Sequence, residues 1–158
     1  MRIIRIRDAR FTDGDAMLAL MPRLAEFDLP QGRVAEELYS DDAILMRRWL
    51  AGETDDCLVQ VAVDSTDKVQ GFTLTRLRPD ALSHEPSAHL EAIAVAAAAE
   101  GRGAGQALLA AAEKNAAKHG AQSLTLHVIS TNERAIAFYE RAGYFGEMRR
   151  YIKRLDDS

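Results

Sequence analysis

The chain has 158 residues, with 24 acidic against 20 basic side chains, a formal charge of −4, and 47% apolar residues. That length and apolar content support one core in a single domain over residues 1–158. The longest charge-free apolar stretches, 92–99 and 103–112, fall far short of the roughly 20 residues of a membrane span. The charged first ten residues carry no secretory h-region, the lone Cys57 excludes an internal disulfide, and the net acidity argues against a nucleic-acid partner. A cytoplasmic protein without membrane or nucleic-acid partners is the expectation.

Residues 2–7 alternate basic and aliphatic side chains, which predicts a short first strand. The turn Thr12-Asp13-Gly14-Asp15 precedes a helical spacing of Met17, Leu20, Met21 and Leu24 over residues 16–26, where Pro22 is expected to kink the helix. A second helix is predicted over 33–50, stopped by Gly52. Residues 57–63 and 69–77 are β-branched and aliphatic, with Asp64-Ser65-Thr66-Asp67 as the hairpin turn. A loop containing Pro79 and Pro86 is predicted over 78–88. It is followed by a strand at 89–95, a helix at 105–119 closed by Gly120, a strand at 124–129, a helix at 132–142 closed by Gly143, and a last strand at 146–155. The pattern β-α-α-β-β-β-α-β-α-β predicts a mixed α/β domain around a central sheet.

One stretch stands out chemically, HLEAIAVAAAAEGRGAGQALL at 89–109. A strand enters a loop carrying Gly101, Gly103 and Gly105, and a helix starts at once. Glycines at alternate positions let backbone approach a ligand, and unpaired N–H groups of a helix start favour an anion such as a phosphate. A Walker loop would end in Gly-Lys-Ser/Thr, whereas Gly105 is followed by Gln106-Ala107. The spacing G-x-G-x-G also differs from the dinucleotide fingerprint G-x-G-x-x-G.

The window Glu100-Gly101-Arg102-Gly103-Ala104-Gly105 is similar to R/Q-x-x-G-x-G/A of the GNAT superfamily of N-acetyltransferases. The segment from Asn132 to Tyr144 is similar to that family's N-x-x-A-x-x-F/L-Y-x-x-x-G-F/Y, in the expected order. The resemblance is strong over 89–145 and weak before residue 55. It implies a GNAT-type α/β fold, with a mixed, mostly antiparallel sheet of about six or seven strands flanked by about four helices. It also implies acetyl-CoA as cosubstrate, with the loop amides of Gly101, Arg102, Gly103, Ala104, Gly105 and Gln106 on its diphosphate. Backbone groups of Ile93, Ala94 and Val95 would hold the pantetheine arm. Asn132, by residue type a helix N-cap, would contact the same arm. Position 100 departs from the pattern, because the family has Arg or Gln where this chain has Glu100, and Ala96 to Ala99 replace the usual Pro and aromatic residue. Glu100 is expected to turn outward, leaving Arg102 as the local cation.

The chemistry implied is transfer of an acetyl group to a primary amine of a small molecule or peptide, by direct attack in a ternary complex. It needs a base for the ammonium and an acid for the leaving thiolate. Tyr139 occupies the position of the family's acid; on residue type alone, Phe138 and Tyr139 are equally core aromatics. Glu91 occupies the position of its base, the alternative being a structural ion pair with Arg76 or Arg78. Strict alternation would put His89, Glu91, Ile93 and Val95 on one strand face, and Leu90, Ala92 and Ala94 on the other.

The acceptor side is expected around Phe27 and Asp28, with His84 and His89 either relaying protons or lying as ordinary exposed loop histidines. Glu26, Glu36, Glu37, Asp41 and Asp42 either attract a cationic amine or form a solvated helix face. His84, His89, His119, His127 and Cys57 show no metal-ligand spacing, so no metal is expected. A homodimer is consistent with the resemblance, and a non-catalytic acyl-CoA-binding sensor or interaction module is the alternative function.

Overall fold

The predicted hairpin forms as its composition dictates. In the computed structural model, which describes residues 3–155, strand β2 (Cys57–Val63) pairs antiparallel with β3 (Val69–Pro79), from Cys57↔Arg76 to Val63↔Val69. The turn closes because Asp64 Oδ1 accepts from the amides of Thr66 and Lys68 at 2.9 and 3.0 Å. Strand β1 (Arg5–Asp8) adds antiparallel to β2; Arg2, the expected start of that strand, lies outside the described residues. Strand β4 (Pro86–Val95) adds antiparallel to β3, and β5 (Leu124–Leu126) adds parallel to β4. The sheet order is β1-β2-β3-β4-β5.

Helices α1 (Gly14–Leu20) and α2 (Ser40–Leu50) cover one sheet face, and α3 (Ala104–Lys118) and α4 (Glu133–Arg141) the other. Met17, Met21 and Met46 bury against Phe72, Leu74, Ala92 and Ala94 on the first face. On the second, Ala104, Leu108, Leu109, Ala112 and Ala116 sink to 2% exposure or less. The alanine-rich face of α3 therefore lets that helix lie close to the sheet.

Four expectations need correction. Pro22 does not merely kink the first helix: α1 ends at Leu20 and the chain tightens into a 3₁₀ turn over Met21–Ala25, as the missing N–H favours. The second helix is split at Tyr39 (φ −135°) into a 3₁₀ turn, Ala35–Leu38, and α2. The loop expected over 78–88 shrinks, because β3 continues to Pro79 and β4 begins at Pro86, and each proline opposes the other at the hairpin end. Residues 146–155 form no strand, so the described sheet has five strands rather than six or seven. There Met148, Tyr151, Ile152 and Leu155 are exposed. Their spacing of three, one and three leaves no alternating apolar face for a sheet to bury.

The sheet edge is fixed by charge. Arg7 donates to both oxygens of nearly buried Asp13 at 2.8 and 3.0 Å and to Asp67 of the hairpin turn at 3.1 Å. Asp13 also accepts from the Arg10 amide at 2.7 Å. Asp13→Ala removes the two-pronged partner of Arg7 and leaves it with Asp67, and is expected to cost about 2 kcal/mol of unfolding free energy in urea titrations. The Arg7 hydrogen bonds hold the Asp13 carboxyl below its ordinary 3.8. Its contribution is thus present above that pH and lost as pH falls through the lower folded value.

Candidate functional site

The site is organised by β4. Leu74 opposes Ala92 and Thr75 opposes Leu90, which leaves Glu91 as an extra, unpaired residue, a β-bulge. The bulge breaks the alternation expected from the sequence. Leu90, Ile93 and Val95 pack toward α3, while Ala92 and Ala94 pack toward α1 and α2. The Glu91 side chain is 19% exposed and forms an ion pair with Arg78, whose Nη1 lies 3.9 Å away, too long for a hydrogen bond. Arg76 is engaged elsewhere, donating to Asp56 at 2.8 Å.

A second carboxylate lies within electrostatic reach of Glu91. Asp42, on α2, is half-buried, and its carboxyl is pushed up to about 7 by burial, then by the negative charges of Glu91 and Asp41. It is not part of a solvated helix face. Positions 42, 46 and 49 form one helical stripe, shared with buried Met46 and partly buried Trp49. That spacing was the available signal for Asp42.

Beyond Leu90 the two parallel strands separate. Strand β5 pairs with β4 only through Ala88↔Leu124, His89↔Thr125 and Leu90↔Leu126. Residues 91–95 then continue along β3 while the chain after Leu126 leaves the sheet. The divergence leaves a cleft between them, bounded by residues 93–95 of β4.

Above the cleft, Ala97–Ala99 make a 3₁₀ turn and Glu100 leads into the glycine loop. Gly101 and Gly103 have φ of 76° and 77°, and no atom lies within 4 Å of a Cβ built on either. Gly103 is the N-cap of α3, and no side chain caps it. The amides of this first turn have no intrahelical acceptor, and the loop in front of them is open, so it fits an anionic group. Arg102 is exposed and has no ion-pair partner among the described residues. Gly105 lies inside α3, where a Cβ would stand 3.5 Å from the Phe138 ring, and Gln106 is exposed beside it.

Helix α4 follows β5 and packs on Leu90 and Leu109. Asn132 caps it, accepting from the Ala135 amide at 3.2 Å, which leaves the Asn132 side-chain NH₂ available. Tyr139 is packed edge-on against Phe138 and Tyr144, with ring centroids at 5.3 and 5.9 Å, in the cluster of Leu90 and Leu109. Burial pushes its hydroxyl up to about 12. The Tyr144 hydroxyl donates to Glu113 at 2.6 Å, which ties the support of Tyr139 to α3.

The remaining candidates separate. His89 is buried in β4, its Nδ1 2.7 Å from Thr125 Oγ1 and its ring against His127. Burial first, then Arg78 and His127, lower its pKa to about 4. It is a neutral group near pH 7, not an exposed loop histidine. His84 stands exposed in the β3–β4 turn, at φ 64°. Phe27 is half-buried and Asp28 exposed, both between the Pro22 turn and α2. Glu100 is exposed but not unpaired. It pairs with Arg23, from the Pro22 turn, and with Arg134 of α4, at 3.6 Å for the latter. Both arginines escaped the sequence reading, because neither lies near Glu100 in the chain.

A model of the acetyltransferase (GNAT) family matches residues 21–144. An uncharacterized N-acetyltransferase of Bacillus subtilis, YhfO, is 30% identical over 141 residues, 89% of each chain. A mycothiol acetyltransferase of Renibacterium salmoninarum is 32% identical over 84 residues, 53% of this chain and 25% of the relative. The match thus spans about a quarter of that longer protein. Among solved structures, a putative acetyl transferase from Pyrococcus furiosus superposes with a TM-score of 0.78 at 22% identity, over 97% of this chain and 100% of the other.

Proposed function

The chain belongs to the acetyltransferase (GNAT) family, and from that premise we propose that it transfers the acetyl group of acetyl-CoA to a primary amine of a small cationic molecule. The observation that carries the reading is the β4–β5 cleft below an uncapped, open glycine turn. Acetyl-CoA supplies an activated acetyl thioester.

The amides of Gly101 to Gly105, with Arg102, face the diphosphate, electrostatically assisted by the α3 N-terminus. Backbone groups of Ile93 and Ala94 and the Val95 amide, no longer engaged by β5, orient the pantetheine arm with the Asn132 amide, while the Val95 carbonyl stays with Arg23. Tyr139 Oη, protonated at every physiological pH, gives its proton to the departing sulfur. On the α2 side, Glu91 and Asp42 form a carboxylate pair that attracts an ammonium and takes its proton, directly or through water. Phe27, Asp28 and His84 lie on connections that frame this acceptor side, and His89 braces β4 against β5. A small amine agrees with the relatives named as mycothiol acetyltransferases.

The test is release of free CoA thiol from acetyl-CoA against a panel of amines, with cationic small amines expected to turn over fastest. A rise in melting temperature with acetyl-CoA, but no thiol release with any amine, would instead identify an acyl-CoA-binding module. The glycine turn has its own test. Gly103→Ala forces an L side chain into a left-handed conformation at about 1–2 kcal/mol. It is expected to raise KM for acetyl-CoA by roughly tenfold with little change in kcat.

A further inference from the structure

The Glu100 cluster is built from three separate parts of the chain. Glu100 directly precedes the glycine loop after β4, Arg134 lies in the first turn of α4 after β5, and Arg23 reaches over from the Pro22 turn. The ion pair between Glu100 and Arg134 therefore joins the segment that follows β4 to the segment that follows β5. The two arginines are held differently. Arg23 is 22% exposed and anchored twice more, to Glu26 and through Nε to the Val95 carbonyl at 3.0 Å. Arg134 is 79% exposed, and its 3.6 Å separation from Glu100 is its only ion pair among the described residues. A carboxylate beside a diphosphate site repels the ligand, unless its charge stays neutralised while the second cation is given up.

We propose that Glu100 holds Arg134 as an internal substitute for the diphosphate, and that the diphosphate of acetyl-CoA takes Arg134 from it. Glu100 remains paired with Arg23, so one cation is permanently assigned to the carboxylate and the other is exchanged. Arg134 is thereby a diphosphate-binding residue of this chain, and Glu100 sets how strongly a ligand must be charged to enter. This inference rests on the acetyl-CoA reading of the cleft.

Calorimetric titration of acetyl-CoA and of acetyl-pantetheine, which has the thioester arm but no diphosphate, tests it. Glu100→Gln is expected to tighten acetyl-CoA about fivefold, the scale of one weak ion pair, and to leave acetyl-pantetheine unchanged. Arg134→Ala is expected to weaken acetyl-CoA by a similar factor and to abolish most of the gain from Glu100→Gln in the double variant. Unchanged or weaker acetyl-CoA binding by Glu100→Gln overturns the proposal. So does an undiminished gain in the Arg134→Ala background, which would reduce Glu100 to simple repulsion. Failure of the unmodified protein to bind acetyl-CoA removes the cofactor reading itself, a result distinct from either.

Discussion

Tyr139→Phe is expected to lower kcat about 100-fold, the usual scale for a general acid, while KM for acetyl-CoA and the melting temperature stay nearly constant. The substitution keeps the ring that packs on Phe138 and Tyr144 and removes only the proton donor. No hydrogen bond to Tyr139 Oη is found among the described residues, so the core loses nothing polar with it. Because burial pushes the hydroxyl up to about 12, the donor form persists through the whole range in which amines lose their protons. The rate of the unmodified enzyme should therefore show no basic limb from Tyr139 below about pH 10. An unchanged kcat in Tyr139→Phe removes the tyrosine from the reaction. A fall in melting temperature with a proportional loss of binding would mark it as a core aromatic instead. Tyr144→Phe offers a graded companion, since it breaks the bond to Glu113 and leaves the Tyr139 hydroxyl in place.

The features legible in the sequence were those in which local chemistry and tertiary role coincide. Gly101 and Gly103 announce a turn because only glycine tolerates left-handed backbone cheaply, and Asn132 announces a helix start because its oxygen can reach the third amide beyond it. Hairpin β2–β3 was likewise readable from β-branched runs around an Asp-rich turn. Two-body facts were not readable. Glu91 looks like one residue of an alternating strand until the β3 register shows it to be the bulge. Glu100 looks unneutralised until Arg23 and Arg134, 77 and 34 positions away, converge on it. The last strand was over-read for a related reason. Residues 146–155 have strand-like composition, but strands exist through partners, and their apolar spacing gives none of the alternation that a partner rewards.

Glu91→Gln and Asp42→Asn should separate the two acceptor-side carboxylates. Glu91, at the bulge and 19% exposed, is placed to take the proton. Its amide variant is expected to lose about 100-fold in kcat/KM at pH 8. Asp42 acts by its charge state: with a carboxyl at about 7, it is neutral in mild acid and negative above neutrality. The unmodified enzyme should accordingly show an acidic limb in kcat/KM near pH 7, and Asp42→Asn should abolish that limb while losing about tenfold at pH 8. Stability must move the opposite way. A carboxyl whose folded pKa is raised contributes stability that is complete below its ordinary 3.8 and is lost as pH rises to about 7. Above pH 7 the native protein carries an incompletely solvated charge next to Glu91. Asp42→Asn removes that charge and should melt higher at pH 8, with no such gain at pH 4, where the carboxyl of the native protein is protonated. A variant that is more stable yet slower, only above neutrality, is the signature of a carboxylate kept at a functional site against its own folding interest. An unshifted acidic limb in Asp42→Asn would assign that limb to another group and leave Asp42 without a role in the reaction.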